Sequence, residues 1–97
     1  MAGFIQLVEF ETNDIEAVGN ALRTFVDEHP DVMTFTASRV TEDRDRPGTY
    51  ISIVEFASYD EAMKQSGHPA LSEFMSKVGP DLMANRRFRN LDVRSTF

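Results

Sequence analysis

Two histidines, no cysteine and a scatter of amide and hydroxyl side chains make up this chain's means for chemistry. His68 stands between Gly67 and Pro69, which fix the backbone on either side, so its imidazole is a candidate general base near neutral pH. Tyr50 is a second candidate base, and Arg39 is a candidate donor to an oxyanion, a role Asn90 can share. Gln6, Tyr50 and Ser52 fall on strand-like runs at positions that alternation brings to one face, and Asn90 joins them on the face carrying Phe10 and Phe88. A lining that is mostly aromatic, with a few hydrogen-bonding groups, suits a flat, partly oxygenated aromatic ligand. The plainer alternatives are that Gln6, Ser52 and Asn90 are buried polar groups satisfied by backbone or water, and that His68 caps a helix end. His29 falls at a helix C-terminus, where the helix dipole favours a cation.

Other chemistries lack their residues. Without cysteine there is no disulfide, thiolate metal site or cysteine nucleophile. No metal-ligand spacing, glycine-rich phosphate loop or nucleophile elbow occurs, so no metal or cofactor is expected. Glu9 and Glu55 resemble a carboxylate pair, but they sit on strands expected to run in opposite directions, which places them toward opposite ends of a sheet. Glu9 is expected to meet Arg87 or Arg89 across strands instead. The net charge of −6 argues against a nucleic-acid surface. The run Arg86, Arg87, Arg89 and Arg94 reads as a strand whose arginines pair with acidic neighbours. The N-terminus leads into a strand without a basic segment and apolar core, and no run is long enough to span a membrane, so a cytoplasmic protein is the expectation.

The elements that must position these residues come from a near-repeat. Ile5–Asp14 returns about 46 positions later as Ile51–Asp60, each copy a strand-like run ending in a helix-start signature. Strands are expected over 3–12, 32–42, 49–57 and 87–95, the middle pair joined by a charged hairpin at 43–48 with a Pro-Gly turn. The first helix starts at a capping box with Asn13 as N-cap and Glu16 three residues on, and ends near His29-Pro30. Ser58–Glu61 is a second capping box, opening a short helix that stops at Gly67. Pro69 begins another, with Leu71, Phe74, Met75 and Val78 as its apolar stripe, ended by Gly79-Pro80 and followed by a loop over 80–86. This order predicts one α+β domain over 1–97: a ferredoxin-like split βαβ arrangement, with a four-stranded antiparallel sheet and helices on one face.

Arg44–Tyr50, Ile53–Met63 and Phe88–Arg94 resemble the antibiotic biosynthesis monooxygenase family of the dimeric α/β barrel superfamily, over most of the chain. The resemblance implies a barrel built from two subunits, with a pocket in each between sheet and helices, and an activity such as cofactor-independent oxygenation of polyketide quinones. The family's polar residue in the first strand falls on Gln6, and its histidine in the second helical region falls near His68. Haem-degrading members set a tryptophan against the haem, and this chain has none. Separately, His68–Gly79 is similar to a helix of aromatic polyketide cyclases. Oxygen activation without metal or flavin requires the substrate to become an electron-rich anion, hence a base and an anion-stabilising donor. The functions implied are a cofactor-free monooxygenase for a small aromatic or polyketide-type compound, a cyclase, or a non-enzymatic ligand-binding dimer.

The strand faces bear on assembly. Ile5, Leu7, Ile51, Ile53, Leu91 and Val93 line one side of the sheet, while Phe4, Val8, Phe10, Tyr50, Val54, Phe56 and Phe88 line the other. Helices cover only one of them, so a homodimer with sheets face to face is expected, burying on the order of 800 Å² or more per subunit.

Overall fold

A computed structural model describes residues 3–97. The elements are β1 (Phe4–Glu11), α1 (Ile15–Glu28), β2 (Ala37–Glu42), β3 (Thr49–Phe56), α2 (Tyr59–Ser66), α3 (Pro69–Leu82) and β4 (Ala84–Asp92). They form one four-stranded sheet in the order β2-β3-β1-β4, with every neighbouring pair antiparallel. This is the α+β ferredoxin-like arrangement that the repeat predicts.

The repeat also explains where the core sits. Phe10 ends the first copy's strand and Phe56 the second's, and both are buried. Because the two strands run in opposite directions, with Phe4 opposite Phe56 and Phe10 opposite Tyr50, these anchors lie at opposite ends of the sheet. Two apolar clusters result. One gathers Phe4, Phe56 and Ala62, with Phe35 and Met63 against them. The other gathers Phe10, Val18 and Met83, with Leu22, Tyr50 and Met75 packed on them. Between the clusters the same sheet face carries Gln6 and Val8 on β1 and Ser52 and Val54 on β3.

Local structure departs from expectation in four places. The first helix is capped by Asp14, not Asn13: its carboxylate accepts from the Ala17 N–H at 3.1 Å, while Thr12 Oγ1 accepts from the Asp14 N–H. β2 begins at Ala37 rather than 32, because Thr34 is drawn to α2, its N–H donating to Gln65 Oε1 and its hydroxyl to the Glu61 carbonyl at 2.6 Å. α3 continues through Gly79-Pro80 to Leu82. Pro80 falls in the last turn, where its missing N–H removes a single helical bond, and the Met83 N–H still closes on the Gly79 carbonyl at 2.8 Å. Finally, β4 starts at Ala84, inside the expected loop. Its register against β1 shifts between Glu9, opposite Arg87, and Glu11, opposite Ala84, so one extra β4 residue faces Phe10. Asn85 takes the left-handed conformation there (φ 54°), and its amide donates to Glu11 at 3.1 Å.

The hairpin forms as its residues predict. Asp43 accepts from the Asp45 N–H at 3.0 Å and from Arg46 Nε at 2.9 Å, and Gly48 takes the positive φ (89°) that the turn requires. Arg46 also reaches Glu9 at 3.5 Å, so the carboxylate expected to meet Arg87 or Arg89 is instead taken by the hairpin. The opposite sheet face has no helix on it. Ile5, Leu7, Ile51 and Ile53 are half-buried there by one another, and Leu91 is exposed.

Candidate functional site

Gln6 and Ser52 lie where the helix-facing side of the sheet leaves its two clusters, and the helices do not fill the space above them. α3 presents Ser72, Ser76 and Gly79 at spacings of four and three residues, one stripe of small side chains along its inner face. The outcome is a cavity of about 550 Å³, within the roughly 300–1,000 Å³ typical of small-molecule sites. Its floor is Gln6, Val8 and Phe10 from β1, Ser52 and Val54 from β3, Ser38 from β2, and Arg86 and Phe88 from β4. Leu22 and Val26 of α1, Gln65 and Ser66 of α2, and Leu71, Ser72, Met75 and Ser76 of α3 close it from above. Phe88 is 55 % exposed and stands at the open edge of the sheet, since β4 is a terminal strand.

Of the residues singled out from sequence, Gln6, Ser52, Phe10 and Phe88 come together on this cavity. Asn90 is one step outside, where its side-chain oxygen accepts from the Gln6 amide at 3.2 Å and so fixes which way that amide points. The candidate bases and the candidate oxyanion donor do not converge there. His68 is exposed and caps α3, its Nδ1 accepting from the Ala70 N–H at 3.1 Å; that bond uses the lone pair a base would offer and leaves the ring proton on Nε2. Tyr50 shares the helix-facing side but stacks on Phe10 with ring centroids 5.8 Å apart, as part of the wall behind the cavity. Desolvation, and secondarily the Glu42 carboxylate beside it, holds its phenol above the usual tyrosine range, which is the wrong direction for a base. Arg39 pairs in register with Ile53 on the opposite face of the sheet and bonds Glu55 at 3.1 Å. His29 ends α1 as expected, its ring stacked on Phe25 and Nδ1 directed at the Phe25 carbonyl.

Arg86 is the residue the sequence reading placed wrongly. It was expected in a loop and in an ion pair, yet among the described residues none of Arg86, Arg87, Arg89 and Arg94 forms one. Arg86 lines the cavity, and its Nη1 is buried without a hydrogen-bond partner. Counting back by two from Asn90 and Phe88 along an earlier-starting strand would have put it on this face. Among the described residues, no Asp, Glu, His, Lys or Tyr side chain lines the cavity beside it. Among the described residues no cluster of three or more metal-ligating side chains occurs, and no helix is long and apolar enough to cross a membrane.

No family model matches the chain, and no curated protein matches it in sequence. Solved structures do match. SnoaB, a cofactor-independent oxygenase from Streptomyces nogalater, superposes with a TM-score of 0.78 at 10 % identity, over 100 % of this chain and 98 % of its own. A conserved protein from Methanosarcina mazei Go1 gives 0.76 at 8 % identity, over 97 % of this chain and 95 % of its own. A protein from Caulobacter crescentus provisionally named an antibiotic biosynthesis monooxygenase gives 0.74 at 12 % identity, over 97 % and 92 %. The chain has the fold of antibiotic biosynthesis monooxygenase-like proteins. At these identities it is the architecture that is shared; the cavity-lining side chains stand on their own geometry.

Proposed function

We propose that this protein is a cofactor-independent monooxygenase of small aromatic or polyketide-type compounds, working as a homodimer. The observation that carries the reading is the cavity between the two apolar clusters. It has aromatic, aliphatic and thioether walls for a flat body, and Gln6, Gln65 and serine hydroxyls for its oxygens. The fold shared with an oxygenase that needs no cofactor supports the reaction class. In such a reaction the substrate supplies every electron. Converting the CH2 of an anthrone to C=O is a four-electron oxidation that reduces one O2, placing one oxygen atom in the product and the other in water. The apolar sheet face opposite the cavity supports the homodimer, because it is the surface a second copy can cover.

Oxygen uptake by metal-free protein with anthrone and quinol substrates, followed by mass analysis of the product, tests the proposal. Stoichiometric uptake with one labelled oxygen in the product is expected, and no turnover of any such compound overturns the enzymatic reading. The absence of any carboxylate, imidazole or phenol from the cavity lining favours one alternative, a dimeric module that binds the same ligands and releases them unchanged.

A further inference from the structure

We propose that the ligand of this cavity is an anion, held through an oxyanion by the Arg86 guanidinium. The inference rests on the cavity being the ligand site and adds the charge of what enters it. Three independent features of the chain converge on this one side chain. Strand alternation from Asn90 and Phe88 puts Arg86 on the helix-facing side, next to the bulge at which Asn85 takes the left-handed conformation. Gly79, on α3 above it, leaves room for the guanidinium in this position: a Cβ there would overlap Nη1, and the arginine tip would have to swing aside. The surroundings then leave the charge unanswered, since Nη1 is buried without a partner and no carboxylate lines the cavity.

A buried cationic nitrogen with nothing to bond is unfavourable, and proteins of this acidity have no shortage of carboxylates with which to pair it. Here, among the described residues, no carboxylate lines the cavity beside the cation. Nη1 itself is enclosed against Gly79, so a ligand oxyanion in the cavity that Arg86 lines answers the charge through the rest of the guanidinium, whose geometry suits a carboxylate or an ionised phenol or enol at the rim of a flat ring. The remaining lining is neutral, so Arg86 alone sets the preference for charge.

Fluorescence titration with 2-naphthoate and its neutral isostere 2-naphthamide isolates that preference, and the lack of tryptophan keeps the protein background low. The native protein is expected to bind naphthoate about 10- to 100-fold more tightly than naphthamide, the effect of one charge-assisted hydrogen bond. Arg86→Gln is expected to weaken naphthoate binding about 10- to 100-fold and so to erase the difference, and Arg86→Lys to retain part of it. Circular dichroism establishes that each variant is folded. Equal binding of the two probes by native protein, or a preference that survives Arg86→Gln, overturns the anion assignment and leaves the cavity standing. Binding of neither probe overturns the ligand-site reading, and this inference with it.

Discussion

Replacing Ile53 with aspartate tests the assembly at its centre. Ile53 lies opposite Leu7 on one side and Arg39 on the other, in the middle of the helix-free sheet face. It is already half-buried by its sheet neighbours, so covering the rest of it in a dimer contributes about 1–2 kcal/mol rather than the full value of a buried isoleucine. An aspartate forfeits that and brings a carboxylate whose desolvation costs about 2–4 kcal/mol beyond it. A two-fold interface contains the position twice, which gives about 6–12 kcal/mol per dimer. Arg39 lies next to it and, by pairing with the new carboxylate, returns a portion, so about 4–8 kcal/mol is the expected net loss.

That loss equals or exceeds much of the free energy of a dimer with micromolar to nanomolar affinity, about 8–12 kcal/mol. Size-exclusion chromatography with light scattering reads the outcome against the 11.0 kDa chain mass. The native protein is expected at twice that mass at micromolar concentration, and the variant at the monomer mass or unfolded. A stable native monomer refutes the dimer. A variant dimer with an unchanged dissociation midpoint shows that this face is not the interface.

The fold yields further expectations. Arg86→Met should raise thermal stability, by about 1–3 kcal/mol, because it removes a buried unpaired cation; a lowered melting temperature would reveal a partner for the guanidinium. His68→Ala should cost about 0.5–2 kcal/mol as a lost N-cap while His68→Asn preserves stability, with naphthamide binding unchanged in both; a large loss of binding in both would return His68 to the site. Asp43 is held below its ordinary value of 3.8, first by the hydrogen bond from Arg46. Its folded pKa is depressed, so the hairpin bond is intact above pH 3.8 and is lost as pH falls through the lower, folded value. Carbon-detected NMR titration should show this shift vanish in Arg46→Ala, and an unshifted Asp43 in the native protein would contradict the hairpin geometry.

What the sequence makes legible here is what repeats with a local period. The alternation through Ile5–Phe10 and Ile51–Phe56 assigns both strands' faces correctly, and it places Gln6, Ser52 and Phe88 on the cavity because nothing interrupts the count. The same count fails at the start of β4. There the bulge inserts a residue just before Arg86, so Ala84 loses its phase with Phe88 and the segment up to Arg86 reads as a loop, although Arg86 itself keeps the phase. Pro80 misleads for a different reason: the rule that proline ends a helix concerns helix interiors, and in a final turn the lost bond is one of few remaining. His68 is ambiguous in principle. A residue before Pro69 can cap the helix or project from it, and the choice depends on whether its Nδ1 meets the Ala70 N–H, a distance that no spacing rule encodes.

The two faces of the sheet divide the labour between them, and the division constrains the chemistry. Ion pairs such as Arg39–Glu55 and Arg46–Glu9 lie with the apolar stripe on the outer face, where they can border a partner. Among the described residues, the cavity on the inner face is lined by one charged side chain and no base. A site of that composition is poorly equipped to pull a proton from a weak acid, but it is well equipped to favour the ionised form of one. A guanidinium about 4 Å from a phenolate or enolate oxygen is worth up to about 4 kcal/mol at the effective dielectric of a protein site, or about three units of acidity. The guanidinium thus shifts a hydroxylated aromatic toward its ionised form, against the desolvation that burial brings, and water at the open edge by Phe88 can carry the proton away. Electron transfer to O2 from such an anion needs no further group from the protein. On this reasoning the missing base weighs toward a binding module without deciding against an oxygenase; the oxidisability of the bound anion decides.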